Sequence, residues 1–147
     1  MSRDLYFGIS DQSKAAVHRF ADAEALFREH RWRGAMYFAG YSVECLLKKK
    51  LMEKFGCRNL QELEDELQHK GYLALDATIF THHLESLLRV AGGVQRIRQN
   101  QPTWKQFKIV NEWVPAWRYS PDLGNHDDAE DFLGAVNDVR HWIEANV

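Results

Sequence analysis

Glu44 stands in an otherwise apolar stretch, with Gly40 one helical turn before it and Lys48 one turn after. A carboxylate on a helix wrapped by apolar neighbours has to be neutral, exposed along a narrow seam, or paired. Two readings are open. Glu44 and Lys48 form an ordinary surface pair at i,i+4, worth about 0.2–0.5 kcal/mol, or Glu44 points into a groove between helices and orients a basic group from another segment. A second concentration of chemistry is the run Trp113-Val114-Pro115-Ala116-Trp117-Arg118-Tyr119-Ser120-Pro121. Its prolines restrict the backbone and place the aromatic cluster at a helix end or its exit. An arginine flanked by aromatic residues can hold phosphate through paired hydrogen bonds or stack its flat cation on a base. The same residue types also serve as core and rim packing, or as a dimer interface.

Seven histidines invite a metal, but their spacing does not support one. His82 and His83 are adjacent and would face different directions on a helix. Neither HExxH nor a Cys/His finger spacing is present. The run from His126 through Asp127, Asp128, Glu130 and Asp131 has an ordinary explanation in acids placed at a helix N-terminus. There is no Gly-rich phosphate loop, GxSxG or Cys-His nucleophile arrangement. No metal or cofactor is expected. Cys45 and Cys57 lie in or beside one helix, where twelve residues rise roughly 18 Å, too far for a disulfide unless the helix end folds back. They read as free thiols in a reducing compartment.

Periodicity predicts the elements that carry these groups. A first helix over about 12–30, capped by Asp11 or Ser13, has Ala16, Phe20, Ala23 and Phe27 as its stripe. A second over about 33–55, closed by Gly56, is apolar nearly all round and should be the spine of the fold. A short helix over about 60–68 follows Asn59, with its leucines inward and its glutamates out. Residues 69–80 read as a loop, and Thr81 caps a segment over 82–91 that ends at Gly92-Gly93. Another helix starts at Gln101-Pro102-Thr103, with Thr103 as a cap, and carries Trp104, Phe107, Val110 and Val114 toward Pro115. The last runs over about 127–145 with Phe132, Val136, Val139 and Ile143 as its stripe. The expectation is one all-α domain over 1–147, an up-and-down bundle of four long helices plus one short helix, with its core over about 10–145.

Composition agrees. The chain has 147 residues, 45% hydrophobic and 27% charged, which suits one soluble globular domain. No apolar run approaches the length of a membrane span, and the N-terminus shows no apolar segment followed by a small-residue cleavage site. A cytoplasmic protein without a membrane partner is therefore expected. The net charge of -2 conceals segregation: bases concentrate over 28–58 and 89–118, acids over 59–88 and after Ser120. That pattern can give one basic face toward phosphate-bearing partners, or simply attraction between neighbouring helices.

The stretch Ala35-Met36-Tyr37-Phe38-Ala39-Gly40-Tyr41-Ser42-Val43-Glu44-Cys45-Leu46-Leu47-Lys48 resembles the second helix of HEPN domains, the nucleotide-binding helical domains of prokaryotes and higher eukaryotes. Thr81-His82-His83-Leu84-Glu85-Ser86-Leu87-Leu88 is similar to that family's His-x-Leu-x-x-Leu segment, and Trp117-Arg118-Tyr119 to its Arg-Tyr element before the last helix. The resemblance implies a helical bundle, a homodimer, and binding of a nucleotide or RNA. Some members partner small nucleotidyltransferases in toxin-antitoxin pairs; others are noncatalytic binding modules. By that resemblance Arg118 would contact phosphate, Glu44 would orient Arg118, and Tyr119 or Trp117 would pack on a base, with His82 and Lys48 in the same groove. Further members are metal-independent endoribonucleases that use an Arg-x4-6-His motif. Here Arg118 and His126 are separated by seven residues, including Pro121 and Gly124, so these two would be the catalytic pair only across a longer loop. A noncatalytic protein-interaction dimer is the third expectation.

Overall fold

Helix α2 (Trp32–Phe55) forms the centre of the computed structural model, which describes residues 8–74 and 76–147. The N-terminal stretch read for a targeting signal therefore lies, over residues 1–7, outside the described residues. Around α2 pack α1 (Ile9–Arg28), α3 (Leu60–His69), α4 (Leu84–Val90) and α7 (His126–Asn146). Two shorter helices, α5 (Val94–Gln99) and α6 (Gln101–Val110), lead to a 3-10 helix over Pro115–Tyr119. Among the described residues there is no strand, only an isolated bridge between Gly8 and Asn59. The fold is all-α.

The apolar sequence of α2 explains its position. Ala35, Met36, Tyr37, Ala39, Val43, Leu46, Leu47, Leu51 and Met52 are all buried, which requires neighbours on several sides. Gly56 closes α2 with φ +67, a left-handed conformation that a side chain would strain, and Cys57 N–H then donates to the Met52 carbonyl at 2.9 Å. The stripe of α7 is buried as its spacing predicts, with Phe132, Val136, Val139 and Ile143 in the core. Each such side chain contributes about 1.5–3 kcal/mol by leaving water.

Several boundaries differ from the sequence-based expectation. Helix α1 begins at Ile9, so Asp11 lies inside it and accepts the Gly8 N–H at 3.3 Å instead of standing at the cap. Asn100, not Thr103, caps α6, its side chain accepting the Thr103 N–H at 3.3 Å. That helix ends at Val110, and Val114 is exposed beyond it. Three helices are long, at 20, 24 and 21 residues. The helix expected from Gln101 toward Pro115 is only the 10 residues of α6, and α5 is a further short helix between Gly92 (φ +78) and Asn100, where no helix was expected.

The segment before α4 also departs from that expectation. Thr81 does not cap a helix starting at His82: its hydroxyl accepts the His83 N–H at 3.2 Å, and α4 starts only at Leu84. Upstream, Glu64 is buried rather than turned outward. One of its carboxylate oxygens accepts the Thr78 hydroxyl at 2.9 Å and the Ile79 N–H at 2.8 Å. These bonds hold the strap over 78–83 against the bundle and leave His82 outside any helix.

Candidate functional site

Glu44 is 3% exposed and Lys48 6%, both on α2, and Lys48 Nζ donates to Glu44 Oε2 at 3.1 Å. The other carboxylate oxygen, Oε1, lies 2.6 Å from His82 Nδ1. Glu44 thus does orient a basic group from another segment, but that group is His82 rather than Arg118. The pair is also not a surface pair: burial removes both charges from water, and their mutual contact offsets that cost. Beside the Lys48 ammonium the carboxylate acts as acceptor. A carboxylate oxygen can only accept, so His82 Nδ1 is the donor in this contact. The His82 side chain is 56% exposed. It lines a cavity of about 460 Å³ together with Phe80, Ser86, Asn111, Trp113 and Pro115.

Arg118 belongs to a different concavity, about 600 Å³, between α1, α2 and the 3-10 helix. Its guanidinium lies over the Tyr119 ring, 4.7 Å from the centroid. The Tyr119 phenol, and then that of Tyr37, push its pKa up from the ordinary guanidinium value, so it is cationic at any working pH. Tyr119 is 75% exposed. Arg19 from α1 and Tyr37, Phe38 and Tyr41 from α2 complete the walls. These residues were not anticipated, although Tyr37, Phe38 and Tyr41 sit at helical spacing on the α2 face that precedes Glu44. Burial pushes the Tyr41 hydroxyl up to about 12, helped by Cys45 and Glu44, so it stays a neutral hydrogen-bonding group.

Trp113 separates the two concavities. Its indole N–H donates to the Tyr37 carbonyl at 2.9 Å. Its ring stacks on Tyr37 at 6.1 Å and meets His82 edge-on at 6.3 Å. The predicted groove is therefore two sites on either side of one indole, with Arg118 and Tyr119 in one and His82, backed by Glu44 and Lys48, in the other.

Two further residues are placed apart from both. Trp117 packs edge-on against Phe132 of α7 at 5.2 Å, and the Arg33 guanidinium covers it at 5.1 Å from the centroid. It fastens the 3-10 helix to the bundle and does not line the Arg118 cleft. His126 opens α7, with Nδ1 2.9 Å from Asp127 Oδ1 and its ring against Phe27 and Trp32 at 5.3 Å each. It shares no partner with Arg118 and does not line the Arg118 cleft, so the structure does not join the two as a catalytic pair. Among the described residues no group of three or more His, Cys, Asp or Glu side chains is arranged to hold a metal. None of their helices is long and apolar enough to cross a membrane.

Comparison of the chain with protein-family models, curated proteins and solved structures finds no match in any of the three.

Proposed function

We propose that this chain is a HEPN-like binding module that takes a nucleotide, or the phosphate and base of an RNA, in the cleft between α1, α2 and the 3-10 helix. The observation that supports this reading is the exposed, permanently charged Arg118 guanidinium at the rim of a cleft walled by Tyr37, Phe38, Tyr41 and Tyr119. A guanidinium binds phosphate in a two-pronged, charge-assisted geometry, and the neighbouring rings offer π-faces to a base. Arg19 adds a second cation, partly engaged by Asp22 at 3.0 Å. The helix order and the three sequence motifs are the grounds for the family part of the reading. As a HEPN-like module the chain would be a homodimer, with a small nucleotidyltransferase as a protein partner in a toxin-antitoxin-type pair.

Titration of ATP, GTP and a short single-stranded RNA into the protein at low salt tests the binding claim. Saturable binding is expected, weakening as salt rises and at least tenfold weaker in Arg118→Ala, since a charged hydrogen-bonded contact is worth about 1.5–3 kcal/mol. Absence of saturable binding to the unaltered protein overturns it. Light scattering across a dilution series tests the homodimer separately.

A further inference from the structure

From the outer surface of α5 and α6 we infer a second contact surface, which takes the phosphodiester backbone of an RNA strand without reading its sequence. It goes beyond the nucleotide cleft and does not depend on it.

Between Ser86 and Asn111 the chain carries Arg89, Arg96, Arg98, Lys105 and Lys108 and no aspartate or glutamate. All five bases are exposed. Arg96 donates to the Asn146 carbonyl at the end of α7, an ordinary use of a cation at a helix C-terminus. Arg98, Lys105 and Lys108 have no such use. The Arg98 guanidinium and the Lys108 ammonium come from different helices yet approach one ring, that of Trp104, at 5.1 and 5.9 Å from its centroid. Lys105 and Lys108, three apart on α6, share a side of that helix. Among the described residues no carboxylate pairs with any of these three cations, and Glu112, the next acid along the chain, makes no ion pair with Lys108. On α2 and α3 the pattern is the reverse: Lys49 meets Glu53 at 3.4 Å, and Lys70 meets Glu66 at 3.0 Å.

Three uncompensated cations across two helices suit a string of negative charges better than a single one. An anionic membrane would need an apolar face beside the cations. The exposed large hydrophobic side chains, Val17, Tyr72, Phe80, Val114, Tyr119 and Leu123, include none from α5 or α6. Trp104 itself is half-buried and stacked on Phe107 at 6.0 Å. An acidic protein partner would likewise look for an apolar centre within its polar rim. What accompanies the cations here is neutral amide: Gln99 stands next to Arg98, and Gln95 is one turn before it on α5, both exposed. Cations and amides together are the donors that hold phosphate and sugar oxygens, contacts that position a strand and carry no sequence information.

Fluorescein-labelled oligouridine and oligoadenosine RNAs of equal length are the probes, titrated into the full chain at low salt and followed by anisotropy. Both are expected to saturate, with affinities within threefold of each other. Arg98→Gln/Lys105→Gln/Lys108→Gln should weaken binding at least tenfold. It should also flatten the slope of log affinity against log salt by about 2, since each single-strand phosphate contact contributes about 0.7. Lys105→Gln alone, which leaves the Trp104 contacts in place, should already cost two- to threefold. Lys49→Gln/Arg58→Gln/Lys70→Gln removes the same charge from cations already met by carboxylates, and should leave RNA affinity within threefold. Urea midpoints check that each variant keeps its fold. No saturation by RNA, equal losses in the two triple variants, an unchanged salt slope, or tighter binding to phosphatidylserine vesicles than to RNA overturns the inference. RNA binding that depends on Arg118 and not on the α5 and α6 cations would sink this surface alone. Failure of ATP to bind the unaltered protein would sink the Arg118 cleft and leave this surface standing.

Discussion

Trp113 occupies the space that a side chain at position 40 would need: a Cβ on Gly40 would stand 2.2 Å from Trp113 Cδ1. The indole lies flat on the bare backbone of α2 and reaches the Tyr37 carbonyl from there. Gly40→Ala is therefore expected to destabilise the protein by about 1–3 kcal/mol through overpacking, despite the better helix propensity of alanine. Urea unfolding measures the loss. Because Trp113 packs on Tyr37, which walls the Arg118 cleft, nucleotide binding should weaken in the same variant.

Lys48→Met should cost far more than an exposed lysine would. It strands a buried carboxylate that keeps His82 as its one partner among the described residues, and breaking such pairs costs roughly 3–5 kcal/mol. The Glu44→Leu/Lys48→Met double variant is expected to lose less than the sum of the two single variants, by more than the usual half kcal/mol of non-additivity. A double-mutant cycle in denaturant checks this. Additive losses would mean the two charges are independently solvated.

The two thiols should differ in reactivity. Burial pushes Cys45 up to about 12, and it is 2% exposed; burial also raises Cys57, which is 9% exposed and lies just beyond Gly56. Thiolate is the reacting species. A disulfide reagent at pH 8 is expected to label Cys57 first, and Cys45 only at the rate of global unfolding. Equal labelling rates in the native protein would contradict the structure.

The hydrogen bond to Asp127, with Glu130 beyond it, raises the His126 pKa above the ordinary imidazole value of about 6.5. A raised folded-state pKa stabilises the fold fully below the unfolded-state value, and the contribution is lost as pH rises through the folded-state value. Asp127→Asn should therefore bring the His126 titration midpoint down toward 6.5, read by NMR. The stability gap between this variant and the parent should narrow as pH is raised from 6 to 8.

The buried stripes of α2 and α7 were legible because helical periodicity reports burial directly, and Gly56 and Asn59 announce their turns through local backbone chemistry. Glu44 was legible as an oddity, and so was its need for a basic partner. The identity of that partner was not. It depends on a Thr81 turn that delays α4 and on Glu64 clasping residues 78 and 79, bonds that substitute for helix where the local pattern favours helix. Trp117 and Tyr119 have equal claims as stacking residues in the sequence; only packing shows that Phe132 and Arg33 already occupy the first. The contact of Trp113 with Tyr37 spans 76 residues, and no local signal encodes it.

Arg140, finally, lies with its guanidinium 4.4 Å from the Phe20 ring centroid, one hydrogen bond to the Ala16 carbonyl at 3.3 Å, and a buried Nε without a partner among the described residues. Burial lowers its pKa. Here a cation acts as a flat tile between the first and last helices, in contrast to the open guanidinium of Arg118. A dicarbonyl reagent specific for arginine should accordingly find Arg118 well before Arg140. Lysine at position 140 would keep the charge yet lose the tile.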